Sequence, residues 1–138
     1  MKAPVTLMAL LLLGACNKGD SSQPKPAPAT LAAEWYGLYS NSLTTQPSMP
    51  FYMNIRSNGT MKIAGYDTSQ YYTADTAYTL KGADSLMCTY VYKYKNGSPG
   101  SKYSIACKYL PNFSFISGTW GYGNNAYNGG YFYLGRKP

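Results

Sequence analysis

Between residues 51 and 56 apolar and polar positions alternate, so that Phe51, Met53 and Ile55 share one face and Tyr52, Asn54 and Arg56 the other. A period of two marks a β-strand with one buried face. Ser57-Asn58-Gly59-Thr60 follows, and Asn-Gly between two such runs is a strong hairpin signal because both residues tolerate positive φ. The turn predicts that Met61 and Ile63 return beside Ile55 and Met53. Comparable runs rich in β-branched and aromatic residues predict further strands at residues 35–40, 70–74, 77–81, 85–94, 101–109, 113–120 and 131–136. No stretch from Glu34 onward carries an apolar stripe at helical spacing.

Eight or nine short strands in about 105 residues predict an all-β domain over 34–138. Most connections read as tight hairpins. A closed antiparallel up-and-down β-barrel of about eight strands is the simplest arrangement that leaves no sheet edge unpaired, with a β-sandwich as the alternative.

The first 33 residues have a different texture. Lys2 precedes a mostly apolar run at residues 5–13 that ends in Gly14-Ala15-Cys16. This is the order of charged, apolar and small-residue zones in a secretory signal peptide. The run falls well short of the ~20 residues needed to span a bilayer as a helix. Leu13-Gly14-Ala15-Cys16 resembles the bacterial lipoprotein box. The resemblance implies cleavage before Cys16 and acylation of that residue, with diacylglyceryl and palmitate-type chains that anchor the mature protein in a lipid bilayer. Two or more chains hold stably where one does not. Asn17, rather than Asp, follows the cysteine, which under the enteric sorting rule favours the outer membrane. Either face of that membrane is open. Residues 16–33 include Pro24-Lys25-Pro26-Ala27-Pro28, an extended polyproline-type linker that would hold the domain away from the membrane.

Composition narrows the chemistry. Charged residues make up only 12% of the chain and there is no histidine, so His-dependent nucleophile systems are excluded and metal chemistry has few ligands to draw on. No metal and no cofactor is expected. The carboxylates are Asp20, Glu34, Asp67, Asp75 and Asp84. In the domain, Asp84 reads as a turn residue, Asp67 and Asp75 bracket a short strand, and Glu34 marks the domain entrance. No pair is recognisable as the two flanking carboxylates of a glycosidase, and the chain is expected not to be an enzyme. The formal charge is +7 and falls to about +6 once the segment with Lys2 is removed. That charge suits anionic head groups or acidic glycans, or simply keeps a tyrosine-rich surface soluble.

Cys88 and Cys107 flank a turn at residues 95–100. If Lys95 pairs with Gly100, Cys88 stands directly opposite Cys107, with Tyr90, Tyr92, Tyr103 and Ile105 on the same inward face. Opposed cysteines in an oxidising compartment predict a Cys88–Cys107 disulfide, worth ~3 kcal/mol in the chain-entropy model. Two buried free thiols are the other outcome.

Sixteen tyrosines are the remaining signal. Strand parity sends Tyr78, Tyr90, Tyr92 and Tyr103 inward, as core or as the wall of a cavity. It leaves Tyr52, Tyr66, Tyr71, Tyr72, Tyr122 and Tyr127 outside or in loops, where amphipathic rings suit glycans or protein. No nucleic acid is expected. The Gly/Asn/Tyr segment 121–130 reads either as a binding loop or as a flexible connection.

Trp35-Tyr36-Gly37-Leu38-Tyr39 at the start, Ser117-Gly118-Thr119-Trp120 late, and Gly129-Gly130-Tyr131-Phe132-Tyr133-Leu134 at the end together resemble small lipocalin-like (calycin-type) barrels of envelope lipoproteins, especially of the Bacteroidetes type. The resemblance covers 34–138 and implies a non-enzymatic protein binding a small apolar or amphipathic ligand inside the barrel. Trp35, Phe51, Met53, Tyr90, Tyr92, Tyr103 and Trp120 are the candidate ligand-binding residues. The alternative is a glycan- or protein-binding module, including a hydrolase inhibitor, that uses exposed Tyr and Lys or Arg around a filled barrel.

Overall fold

A computed structural model describes residues 31–66, 71–110 and 114–138. The expectations for the leader, for Cys16 and for the linker up to residue 30 lie outside these residues, as does Asp67. The described chain is all-β. Its strands are β1 (Ala33–Tyr39), β2 (Met49–Ile55), β3 (Thr60–Tyr66), β4 (Tyr71–Ala77), β5 (Thr79–Lys81), β6 (Ser85–Lys93), β7 (Pro99–Tyr109), β8 (Phe115–Tyr122) and β9 (Gly130–Arg136).

The strands form a closed antiparallel barrel rather than a sandwich. From β1 to β4 each strand pairs with the next, and so do the strands from β5 to β9. β1 pairs with β9 along Trp35↔Arg136 to Tyr39↔Phe132, and β4 reaches β6 through Thr73↔Lys93. β5 continues the register of β4 on β6, with Thr79 opposite Met87 and Lys81 opposite Ser85. The ring therefore has eight strands, with β5 as an extension of β4 beyond a break at Tyr78. The Asn58-Gly59 hairpin has the expected register, Met53↔Ile63 and Ile55↔Met61, and Gly59 takes the positive φ of 84° that the turn needs.

Alternation fills the interior. Trp35, Met53, Ile55, Met61, Ile63, Leu86, Ile105, Ile116, Phe132 and Leu134 are all buried. One end is plugged. Leu31, which falls within the linker as read from the sequence, is fully buried, and its carbonyl accepts a 3.2 Å bond from Trp35 Nε1. The Tyr78 hydroxyl donates to the Arg56 carbonyl at 3.1 Å and the Tyr109 hydroxyl to the Ala83 carbonyl at 2.8 Å. The closing seam needs Gly37, because a Cβ there would land on the Tyr133 carbonyl oxygen.

The β6–β7 hairpin corrects the disulfide expectation. Its turn is tighter than Lys95–Gly100 pairing requires: Tyr94 N donates to Ser98 O at 2.9 Å and Gly97 N to Tyr94 O at 2.8 Å, with Gly97 at φ 81°. After an irregularity between Val91 and Lys93, Cys88 faces Ile105, and Cys107 faces Leu86. The slip is two residues. It keeps every side chain on its expected face and changes only its partner. Cys88 and Cys107 are thus diagonal neighbours, and diagonal Cα atoms lie ~7–8 Å apart, at or beyond the reach of a disulfide. Both are buried free thiols. Cys88 Sγ lies 3.8 Å from Met61 Sδ. Burial pushes the Cys107 thiol up to about 12, and it raises Cys88 as well, with neighbouring Cys107 adding to the effect.

Candidate binding site

Antiparallel strands bring the end of β1, the start of β2, the end of β6, the start of β7 and the end of β8 to the same end of the barrel, opposite the plug. Each contributes an inward aromatic there. Tyr39, Phe51, Tyr90, Tyr92, Tyr103 and Trp120 enclose a cavity of about 90 Å³.

The rings brace one another around this space. Tyr39 meets Phe51 with ring centroids 5.7 Å apart and Trp120 at 6.1 Å. Tyr103 stands 5.9 Å from Trp120, 5.4 Å from Tyr92 and 5.9 Å from Tyr90, the last nearly stacked at an interplanar angle of 28°. Tyr90 and Tyr92 pack edge to face at 5.0 Å. Tilted and edge-on pairs at these separations are the favourable arrangements for aromatic quadrupoles. Trp120 is fixed further, because its Nε1 donates to the Ser40 carbonyl at 2.8 Å. Gly129 and Gly130 let the chain pass against that indole, since a Cβ at either position would strike it. Burial, above all, raises the phenol pKa of Tyr90 and Tyr92, so both hydroxyls stay protonated in the physiological range.

Five of the seven residues expected from sequence line this cavity: Phe51, Tyr90, Tyr92, Tyr103 and Trp120. Trp35 and Met53 do not. They are fully buried in the barrel's packed part. Tyr39 completes the cage without having been selected, although it shares the parity of Trp35 two steps along the same strand and could have been found that way.

Outside the barrel, Tyr36, Tyr127 and Tyr133 are exposed and Tyr52 is half-buried, whereas Tyr122, though exposed, stands at the rim of the cage with its ring 5.3 Å from Trp120 and 5.6 Å from Tyr103. The side chains of Tyr66, Tyr71 and Tyr72 lie outside the described set. Tyr36 and Tyr52 rings sit 4.8 Å apart, and their hydroxyls point at Glu34 from 3.3 and 3.4 Å. Lys137 Nζ joins them at 3.1 Å, and its hydrogen bond holds the Glu34 carboxyl below the usual range. Asp75 pairs with Arg56 at 2.9 Å. Asp84 accepts from Ser85 Oγ at 2.7 Å and lies 4.0 Å from Lys108 Nζ. Among the described residues no group of three or more Cys, Asp or Glu is placed to hold a metal ion.

The loop at residues 123–129 is fastened by its own asparagines. Asn128 Oδ1 accepts from Tyr122 N at 2.8 Å and Asn125 Oδ1 from Tyr127 N at 2.9 Å, while Gly123 N donates to the Lys102 carbonyl at 2.9 Å. Tyr127 projects from it, 61% exposed. A groove of about 580 Å³ runs along the outer wall from beneath Tyr127 across β8, β7 and β6 to Lys81. Comparison with protein-family models, with curated proteins and with solved structures finds no match.

Proposed function

We propose that this chain is a non-enzymatic, lipid-anchored protein of the outer membrane, held through acylated Cys16, whose lipocalin-like barrel receives the apolar end of a small amphipathic ligand in the aromatic cage. The observation that carries the reading is six aromatic side chains walling a space at one end of an otherwise packed interior. Apolar walls with a few hydroxyls are the usual lining of a small-molecule site. The size sets the ligand. About 90 Å³ is well below the ~300–1,000 Å³ of sites that engulf a drug-sized molecule, so the cage accepts a short alkyl or single-ring terminus while the rest of the ligand stays at the mouth.

The test is native mass spectrometry of the full chain isolated from a bacterial envelope, beside the variant Phe51→Trp, whose larger ring fills the cage. A stoichiometric small molecule carried by the parent and missing from the variant is the expected result. An empty parent that also fails to take up xenon or toluene would sink the reading. Intact mass of the membrane fraction checks the anchor: a Cys16→Ser chain found still acylated and membrane-bound would remove that part.

A further inference from the structure

The outer groove divides by strand register into two chemically different rows. In one, Lys81 faces Ser85, Ser85 faces Lys108, and Lys108 faces Ser117, so that ammonium and hydroxyl donors alternate across β5, β6, β7 and β8. In the next row Met87 faces Ala106, Ala106 faces Thr119, and Thr119 faces Tyr131. All of these residues line the groove, and Tyr127 overhangs it. One long side is thus cationic and rich in donors, the other apolar and aromatic.

We infer that this groove is a second binding site, for a soluble organic phosphate monoester whose body is an aromatic ring. Tetrahedral oxyanions accept several charge-assisted hydrogen bonds at once, which suits four donors in line. A flat ring body suits the Met87–Ala106 floor between Tyr127 and Tyr131. At about 580 Å³ the groove is of the size that holds a whole small ligand. Asp84 is the local competitor: its carboxylate already takes the Ser85 hydroxyl at 2.7 Å and lies at the edge of ion-pair range from Lys108. An arriving phosphate must displace it. This site is separate from the interior cage and does not depend on the ligand proposed for it.

The probe is 1-naphthyl phosphate, titrated by fluorescence and by calorimetry into the full chain, with 1-naphthol and inorganic phosphate as controls that lack one half of the ligand. Saturable binding, weakened by salt and at least severalfold tighter than either control, is expected. Lys81→Gln with Lys108→Gln should weaken it roughly tenfold, and Asp84→Asn should tighten it. Thr119→Trp, which fills the groove from an outward position, should abolish binding, while Phe51→Trp in the cage should leave it unchanged. The changes at Lys81, Lys108, Asp84 and Thr119 lie on the surface and leave the core untouched, so loss of folding cannot mimic their result, and Phe51→Trp, a core change, is compared only after circular dichroism shows the parent fold. Equal binding of 1-naphthol, indifference to the two lysines, loss through Phe51→Trp, or no binding at all would overturn the inference.

Discussion

The two ends of the barrel use aromatic residues in opposite ways. At the plugged end Trp35, Tyr78 and Tyr109 each reach a backbone carbonyl, of Leu31, Arg56 and Ala83, so each ring is pinned to the chain and its polar atom is satisfied. At the other end Tyr39, Phe51, Tyr90, Tyr92 and Tyr103 brace chiefly against one another and against Trp120, which is itself tied to the Ser40 carbonyl, and the six leave a cavity between them. On the function proposed above, the difference separates stability from recognition. A ring tied to a turn closes the barrel, whereas rings leaning on rings can enclose space for a guest.

The comparison breaks hardest at Trp35. Replacing this fully buried residue by Ala removes a large side chain from the packed end and should cost ~3–5 kcal/mol in urea unfolding. Tyr103→Ala, at the half-buried rim of the cage, should cost clearly less and enlarge the cavity. Equal costs at both positions would mean that the cage is as solid as the plug.

A second contrast appears at high pH. Cys107, its pKa pushed up to about 12, and Cys88, raised as well, are neutral in the fold, while unfolded thiols ionise near ~8.5. The folded state then holds protons that the unfolded state has lost, so stability is fully present below pH ~8.5 and falls as pH rises towards 12. Buried Tyr90 and Tyr92, also raised, add to the fall above ~10. Denaturant unfolding from pH 7 to 11 under reducing conditions should show this decline, and Cys88→Ala with Cys107→Ala should flatten its first part. In a separate sample kept free of reductant throughout, Ellman's reagent should find both thiols once the chain is unfolded. A disulfide there would refute the register described above.

The outcome at these cysteines shows what a sequence of this kind carries. Alternation revealed strand faces, because a period of two is local, and the inward set of the β6–β7 hairpin follows from it directly. It could not reveal partners. Those depend on the turn, and the Tyr94–Ser98 bonds with the irregularity at Val91/Lys93 shift the pairing by two residues without disturbing a single face. Height along the barrel was equally hidden. Trp35 and Met53 share parity with the cage residues but lie deeper, and only the closure of β1 on β9 and of β4 on β6 fixes which inward aromatics stand level. The Asn58-Gly59 hairpin, with no irregularity in its ladder, was legible to the residue.

Removing single hydroxyls sharpens the contrast at smaller scale. Tyr78→Phe and Tyr109→Phe each delete a bond to a carbonyl at the plugged end and should cost ~0.5–1.5 kcal/mol, with some added penalty for the carbonyl left without its donor. Tyr103→Phe keeps the ring contacts that hold the cage and should stay within ~0.5 kcal/mol of the parent. Ligand binding should respond in the reverse order, changing with Tyr103 and not with the plug tyrosines.

The smallest effect is expected just outside the plug, where Arg56 Nη2 meets Asp75 at 2.9 Å with the two side chains 40% and 63% exposed. Exposed ion pairs are worth ~0.2–1 kcal/mol because water screens them and two long side chains must be ordered. Asp75→Asn should therefore lower the urea midpoint only slightly, and the loss should vanish in ~1 M salt. The neighbouring Tyr78 bond to the Arg56 carbonyl is sheltered and should keep its contribution at any ionic strength. A salt titration of the two variants side by side separates them: if Asp75→Asn costs as much as Tyr78→Phe and does so in high salt, the turn rather than the tyrosine is what seals this end of the barrel.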